Sequence, residues 1–159
     1  MMEENLIKAC FLDKDGTIII DKKYSIIKSE LEFEEGVIDF LNYIQNKGYK
    51  IFILSNQSAI SRGLYSVKDF ENYMNWFIEK LFSYDIKVER FLYSPYHPDF
   101  PSEYDQKDRK PCDGMFKKII NDYNIDLEKS INIGDKITDI IPGINVGIKY
   151  NFLYKNNPL

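Results

Sequence analysis

Two aspartates stand two residues apart in Asp13-Lys14-Asp15-Gly16-Thr17, directly after the apolar run Cys10-Phe11-Leu12. A carboxylate pair at the end of such a run can divide two jobs. One group binds a hard cation and attacks phosphorus, while the other gives and takes protons. Gly16 would permit the sharp turn that brings them together. A second reading competes for the same residues, because Asp-Gly between the apolar runs CFL and TIII is also a hairpin signal. Taken alone, the two readings stand level. A calcium loop is excluded: counted from Asp13, its sixth position is Ile18 rather than Gly and its twelfth is Tyr24 rather than Glu.

Three more clusters carry polar chemistry. Gly134-Asp135-Lys136-Ile137-Thr138-Asp139 offers further oxygen ligands, although Asp135 or Asp139 could equally cap the short helix that follows. If its strand neighbours that of Asp13, the two carboxylates could share Mg²⁺, which takes one or two protein carboxylates plus phosphate and water. Ser55-Asn56-Gln57 could present a hydroxyl and an amide to a phosphate oxygen, or be a plain turn. Arg109-Lys110-Pro111 is basic within an acidic loop, and Arg109 could hold a phosphate through two hydrogen bonds.

These clusters need elements to position them. Residues 8–12, 49–54, 88–94 and 130–134 read as short strands, with a last one over 146–153. Helices are predicted over 35–48, 66–85 and 113–124; the second has Ser66 as cap and Phe70, Tyr73, Met74, Phe77 and Leu81 on one stripe. Residues 17–33 read as a loop or hairpin, and 94–111, with its prolines, as a long irregular loop. Alternation of this kind predicts an α/β fold with a central parallel sheet flanked by helices. The first, second and fourth strands each run straight into one of the polar clusters, and ligands in open parallel sheets bind beyond the carboxyl ends of strands. The clusters should therefore converge.

The 159 residues suit a single domain over 1–159, with flexible ends expected at 1–5 and 155–159. A hydrophobic fraction of 44% supplies a core. Lys and Arg number 21 against 25 Asp and Glu, and the resulting charge of −4 argues against a nucleic-acid partner. Two cysteines make no disulfide framework, the acidic start does not read as a signal peptide, and no run is long enough for a membrane span. The expectation is a reduced, cytoplasmic protein without a membrane partner. No exposed apolar stripe stands out, which reads as a monomer.

Together the clusters resemble the haloacid dehalogenase superfamily, whose ordered motifs are matched by FLDKDGT (11–17), LSNQS (54–58), RKP (109–111) and GDKITD (134–139). The closer likeness is to its heptose bisphosphate phosphatase and histidinol phosphatase branch, through DKDGTIIIDKKY (13–24), SNQSAISRGLY (55–65) and the pair His97-Pro98. It spans roughly residues 8–150 and turns the hairpin reading of Asp13 into a minor one. The resemblance implies a Rossmann-like domain without a separate cap, the Asp13 strand lying between the second and fourth. It implies Asp13 as the nucleophile, Asp15 as general acid and then base, Ser55 as a hydrogen-bond donor to the phosphoryl group and Lys110 as its counter-charge. Mg²⁺ would be held by Asp13, the Asp15 carbonyl and Asp135, with Asp139 orienting behind them. Asp21, Lys22, Lys23, Tyr24, Asn56, Gln57, Ser58, Arg62, Arg109 and Lys136 would contact substrate.

One departure matters. Members of this branch often hold zinc in the long loop through three Cys and one His. Anchoring that loop on His97-Pro98 and Arg109-Lys110-Pro111 puts Ser94, Tyr96, Gln106 and Asp108 at those positions. None is a zinc ligand of that kind, so zinc is not expected. The implied reaction is removal of the 7-phosphate from a heptose 1,7-bisphosphate. Histidinol phosphate or another small metabolite, a nucleic-acid 3′-phosphate, and a catalytically silent sugar-phosphate-binding protein are the alternatives.

Overall fold

The computed structural model describes residues 5–100 and 102–155. Its sheet has five parallel strands, β1 (Ala9–Leu12), β2 (Lys50–Asn56), β3 (Val88–Ser94), β4 (Ile131–Gly134) and β5 (Tyr150–Leu153), in the order β3-β2-β1-β4-β5. The α-helices are α1 (Val37–Asn46), α2 (Val67–Phe82), α3 (Gly114–Asp122) and α4 (Ile137–Asn145). β1 is central, flanked by the second and fourth strands.

The unbroken apolar runs of β1 and β2 follow from burial on both faces. Cys10, Leu12, Ile51 and Ile53 pack with α1 and α2; Ala9, Phe11, Phe52 and Leu54 alternate with them and pack with α3. Phe11 stands between Phe52 and Phe116, with ring centroids 5.6 and 5.3 Å away. Burying each such ring contributes about 1.5–3 kcal/mol. On the other face, the five α2 residues of the predicted stripe are all buried. The helix starts where Ser66 predicts: Asp69 N donates to Ser66 Oγ at 3.1 Å, and Ser66 N donates to Asp69 Oδ2 at 3.2 Å.

Two expectations change, and one of two open readings is resolved. The last strand begins at Tyr150, not residue 146, because Val146-Gly147-Ile148 closes α4 instead. Ile148 N donates to Gly143 O and Gly147 N to Ile144 O, both at 3.0 Å, with Gly147 at φ +92°. This is a Schellman ending, which an apolar sequence can disguise as strand. Residues 17–33 form no long hairpin; a short neck ties the loop, Ile20 N donating to Glu32 O at 2.8 Å and Glu34 N to Ile18 O at 3.0 Å. Finally, α4 exposes Ile137, Ile141 and Ile144 beside Tyr150, Phe152 and Leu153 of edge strand β5. That stripe removes the ground on which a monomer was expected.

The ends expected to be flexible lie outside the described residues, apart from Asn5 and Lys155. Among the described residues, no helix is long and apolar enough to cross a membrane.

Candidate active site

Beyond the carboxyl ends of β1, β2 and β4 lies a cleft of about 530 Å³. Its floor is built by the sheet. Asp13 N donates to Ile133 O at 3.1 Å, extending the β1–β4 pairing one residue past the strand. Asp13 Oδ1 accepts from Lys110 Nζ at 2.9 Å. The same buried ammonium donates to Leu54 O at 2.6 Å and meets Asp139 Oδ1 at 2.6 Å. Three donors thus find three acceptors. Lys110 comes from a loop, and Asn56 braces it there: Lys110 N donates to Asn56 Oδ1 at 3.0 Å and Asn56 Nδ2 to Lys110 O at 2.9 Å.

The Asp13 carboxyl is pushed up to about 8, chiefly by burial, with Lys110 acting against the rise and Asp139 and Asp15 adding to it. For Lys110, burial acts downward, but Asp13 and Asp139 outweigh it and the net shift is upward. Asp135 is also raised, chiefly by burial.

Asp13, Asp135 and Asp139 bring one carboxylate oxygen each to within 4.8 Å of one another. Asp139 is already engaged, with Oδ1 on Lys110 and Oδ2 accepting from Lys136 N at 3.0 Å. Asp135 Oδ1 is buried without a hydrogen-bonding partner among the described residues. Gly16, at φ +83°, lies so close that a Cβ on it would overlap Asp135 Oδ2. A tight set of hard oxygen donors with one orphaned atom fits a divalent cation such as Mg²⁺.

The Asp15 carboxylate points elsewhere. Its Oδ1 meets Lys14 Nζ at 2.7 Å, and its Oδ2 accepts from Gln57 Nε2 at 2.9 Å. Gln57 Nε2 also donates to buried Ser55 Oγ at 2.9 Å, and Gln57 Oε1 accepts from Tyr65 at 3.0 Å. The amides of Asn56 and Gln57, expected to contact substrate, line the cleft and hydrogen-bond to Lys110 and Asp15.

The walls are loops. Asp21, Lys23 and Tyr24 line the cleft, whereas Lys22 turns away and pairs with Glu32 at 2.8 Å. Lys22, expected among the substrate contacts, is thus absent from the lining of this cleft. Lys23 and Tyr24 hold φ of +51° and +65°, uncommon for side-chain-bearing residues, and Lys23 N donates to Asp21 Oδ1 at 2.8 Å. Across the cleft, the Arg62 guanidinium lies 5.5 Å from the Tyr24 ring centroid and 4.9 Å from that of Phe100, and meets His97 Nε2 at 3.2 Å. Arg109 donates to Tyr96 O at 3.0 Å. Burial, then the charge of Arg62, lowers its guanidinium below the ordinary range. Ser58 and Lys136 complete the predicted residues on the lining.

At the positions matched to zinc ligands, Ser94 is buried, Tyr96 offers its carbonyl to Arg109, and Asp108 pairs with Lys118 at 2.6 Å. Sequence reasoning missed Lys14, Ser25, Tyr65 and Thr138, which also line the cleft. The one available signal was Lys14's place between two aspartates.

Residues 8–150 match the family model described as polynucleotide kinase 3 phosphatase. The chain belongs to that family, within the haloacid dehalogenase superfamily. Its relatives include the D-glycero-beta-D-manno-heptose-1,7-bisphosphate 7-phosphatase of Haemophilus ducreyi, 37% identical over 153 residues that cover 93% of this chain and 83% of the relative. The D-glycero-alpha-D-manno-heptose-1,7-bisphosphate 7-phosphatase of Campylobacter jejuni is 35% identical over 141 residues, 89% of this chain and 78% of the relative. A HAD-like protein of Mesorhizobium loti superposes with a TM-score of 0.86 at 27% identity, covering 93% of this chain and 72% of that one. The D,D-heptose 1,7-bisphosphate phosphatase of B. bronchiseptica, solved with magnesium and phosphate, has the same fold at 22% identity, with a TM-score of 0.80, 92% of this chain and 80% of that chain covered.

Proposed function

We propose that the protein is a Mg²⁺-dependent phosphatase that removes the 7-phosphate of D-glycero-D-manno-heptose 1,7-bisphosphate. The observation that carries the reading is the Lys110 ammonium, buried against Asp13 Oδ1 at 2.9 Å at the bottom of the cleft, where Asp135 and Asp139 each bring a carboxylate oxygen within 4.8 Å of one of Asp13. Relatives about one-third identical, each named for this reaction, supply the substrate class.

The chain's own groups account for both steps. The Asp13 carboxylate attacks phosphorus as the bond to the sugar oxygen breaks, and Asp15 gives its proton to that oxygen. Asp15 then takes a proton from water, whose oxygen attacks the phosphoryl group and frees the Asp13 carboxylate and inorganic phosphate. Ser55, an acceptor from Gln57, keeps its hydroxyl proton to donate to the phosphoryl group. Lys110 balances the charge gathered between Asp13 and phosphate. A Mg²⁺ held by Asp13, Asp135 and the Asp15 carbonyl would add positive charge beside the phosphate oxygens.

Arg62 and Arg109 stand together on the cleft wall, and an anion between them would relieve their repulsion. A second phosphate on the substrate suits that place. The free thiols Cys10 and Cys112 agree with a cytoplasmic setting.

A substrate panel tests the reading. With Mg²⁺, phosphate release from the alpha or beta anomer of heptose 1,7-bisphosphate should be far faster than from histidinol phosphate or a 3′-phosphorylated oligonucleotide. The family model's own description favours the oligonucleotide as the second reading. Preference for either competitor would replace the substrate, and tight heptose binding without turnover would mark a silent binding protein.

A further inference from the structure

Two lysines of the cleft are buried to within a few per cent, Lys110 at 3% exposure and Lys14 at 1%. Only the first has been given work. An ammonium is costly to bury, and an apolar residue could fill the space beside Tyr73 more cheaply. Among the described residues, Lys14 Nζ has a single hydrogen-bonding partner, Asp15 Oδ1 at 2.7 Å, and its other contact is the Tyr73 ring, 5.7 Å from its centroid. The opposite oxygen of Asp15 accepts from Gln57 Nε2 at 2.9 Å. Gln57 is fixed in turn by Tyr65, which donates to Oε1 at 3.0 Å and stacks on core residue Phe70 at 6.2 Å. Both carboxylate oxygens of Asp15 are thus held from behind, while its side chain keeps 30% of its surface exposed.

We propose that Lys14 is the positioning residue of Asp15, with Gln57 and Tyr65 completing the hold, an inference that rests on the phosphatase reading above. The aim of a proton donor matters only when the leaving oxygen needs the proton. A sugar alkoxide needs it as its bond to phosphorus breaks; p-nitrophenolate leaves without it. Lys14 should therefore act on one kind of substrate and spare the other, a selectivity that a merely structural lysine has no means to produce.

The test is first-turnover kinetics of the Mg²⁺-loaded enzyme by rapid quench. Lys14→Met should slow cleavage of heptose 1,7-bisphosphate about 10- to 100-fold. The first-turnover release of p-nitrophenol from its phosphate ester should change by less than about threefold. Lys14→Arg, which restores the charge, should recover most of the loss. Tyr65→Phe should show the same selectivity more weakly, and it carries the test if Lys14→Met does not fold. Equal losses on both substrates, or no loss on the heptose, would overturn the role of Lys14 alone. Wild-type protein that cleaves neither compound would overturn the phosphatase reading, and the role of Lys14 with it.

Discussion

The floor and the walls of the cleft are built by different means. On the floor, Lys110 and Asp139 are buried and Asp13 is partly buried, and each is tied to backbone of the sheet, a brace or a helix start. On the walls, Tyr24 is half exposed, and Arg62 joins the two loops through ring faces and His97. Groups that meet the reacting phosphate need fixed distances, which a sheet supplies. Groups that sort substrates need surfaces that can vary, which loops supply. Floor substitutions should therefore lower kcat, and wall substitutions should raise KM.

The largest effect is expected at Asp13. Asp13→Asn should cost about a thousandfold or more in kcat, because the attacking oxygen is lost; an enzyme that keeps most of its rate would break the floor's assignment. Lys110→Met should follow, lowering kcat about 100- to 1,000-fold with little change in KM. Steady-state assays on both variants suffice. On the wall, Arg62→Ala should raise KM for the heptose about tenfold, the equivalent of about 1.4 kcal/mol, and leave p-nitrophenyl phosphate turnover nearly intact. A fall in kcat on both substrates would erase the distinction between floor and wall.

The smallest effect concerns stability. With Asp13 raised from 3.8 to about 8, the folded state binds more protons than the unfolded one across that window. In EDTA, stability should therefore fall as pH rises from about 4 towards 8. Saturating Mg²⁺ should flatten the fall and add about 2.7 kcal/mol at a hundred times its Kd. Melting curves from pH 5 to 8, with EDTA and with Mg²⁺, check it; parallel curves would count against the cation site.

Much of this was legible in the sequence. Apolar runs that stop at Asp13, Ser55 and Gly134 betray strands buried on both faces and a shared ligand edge. What stayed hidden depended on partners distant in the chain. Nothing in the sequence shows that the oxygens and nitrogens of Asn56 and Gln57 also hold Lys110, Asp15 and Tyr65. Lys22 and Lys23 are chemically alike, and only the left-handed backbone after Lys22 decides which one enters the cleft. Nothing local to Lys14 reveals that it is buried beside Tyr73. The apolar run Val146 to Ile148 mimicked a strand because its helix-ending bonds are backbone bonds, silent in side-chain chemistry.

The close approach of Gly16 to Asp135 has a consequence for the variation this protein can accept. The turn carrying Asp13 and Asp15 and the turn carrying Asp135 are packed so closely that a methyl group does not fit between them. Position 16 behaves as a feeler gauge between them. Any larger residue there would strain its own left-handed turn and collide with the neighbouring one, so a saturation library at this position should return glycine alone among active clones.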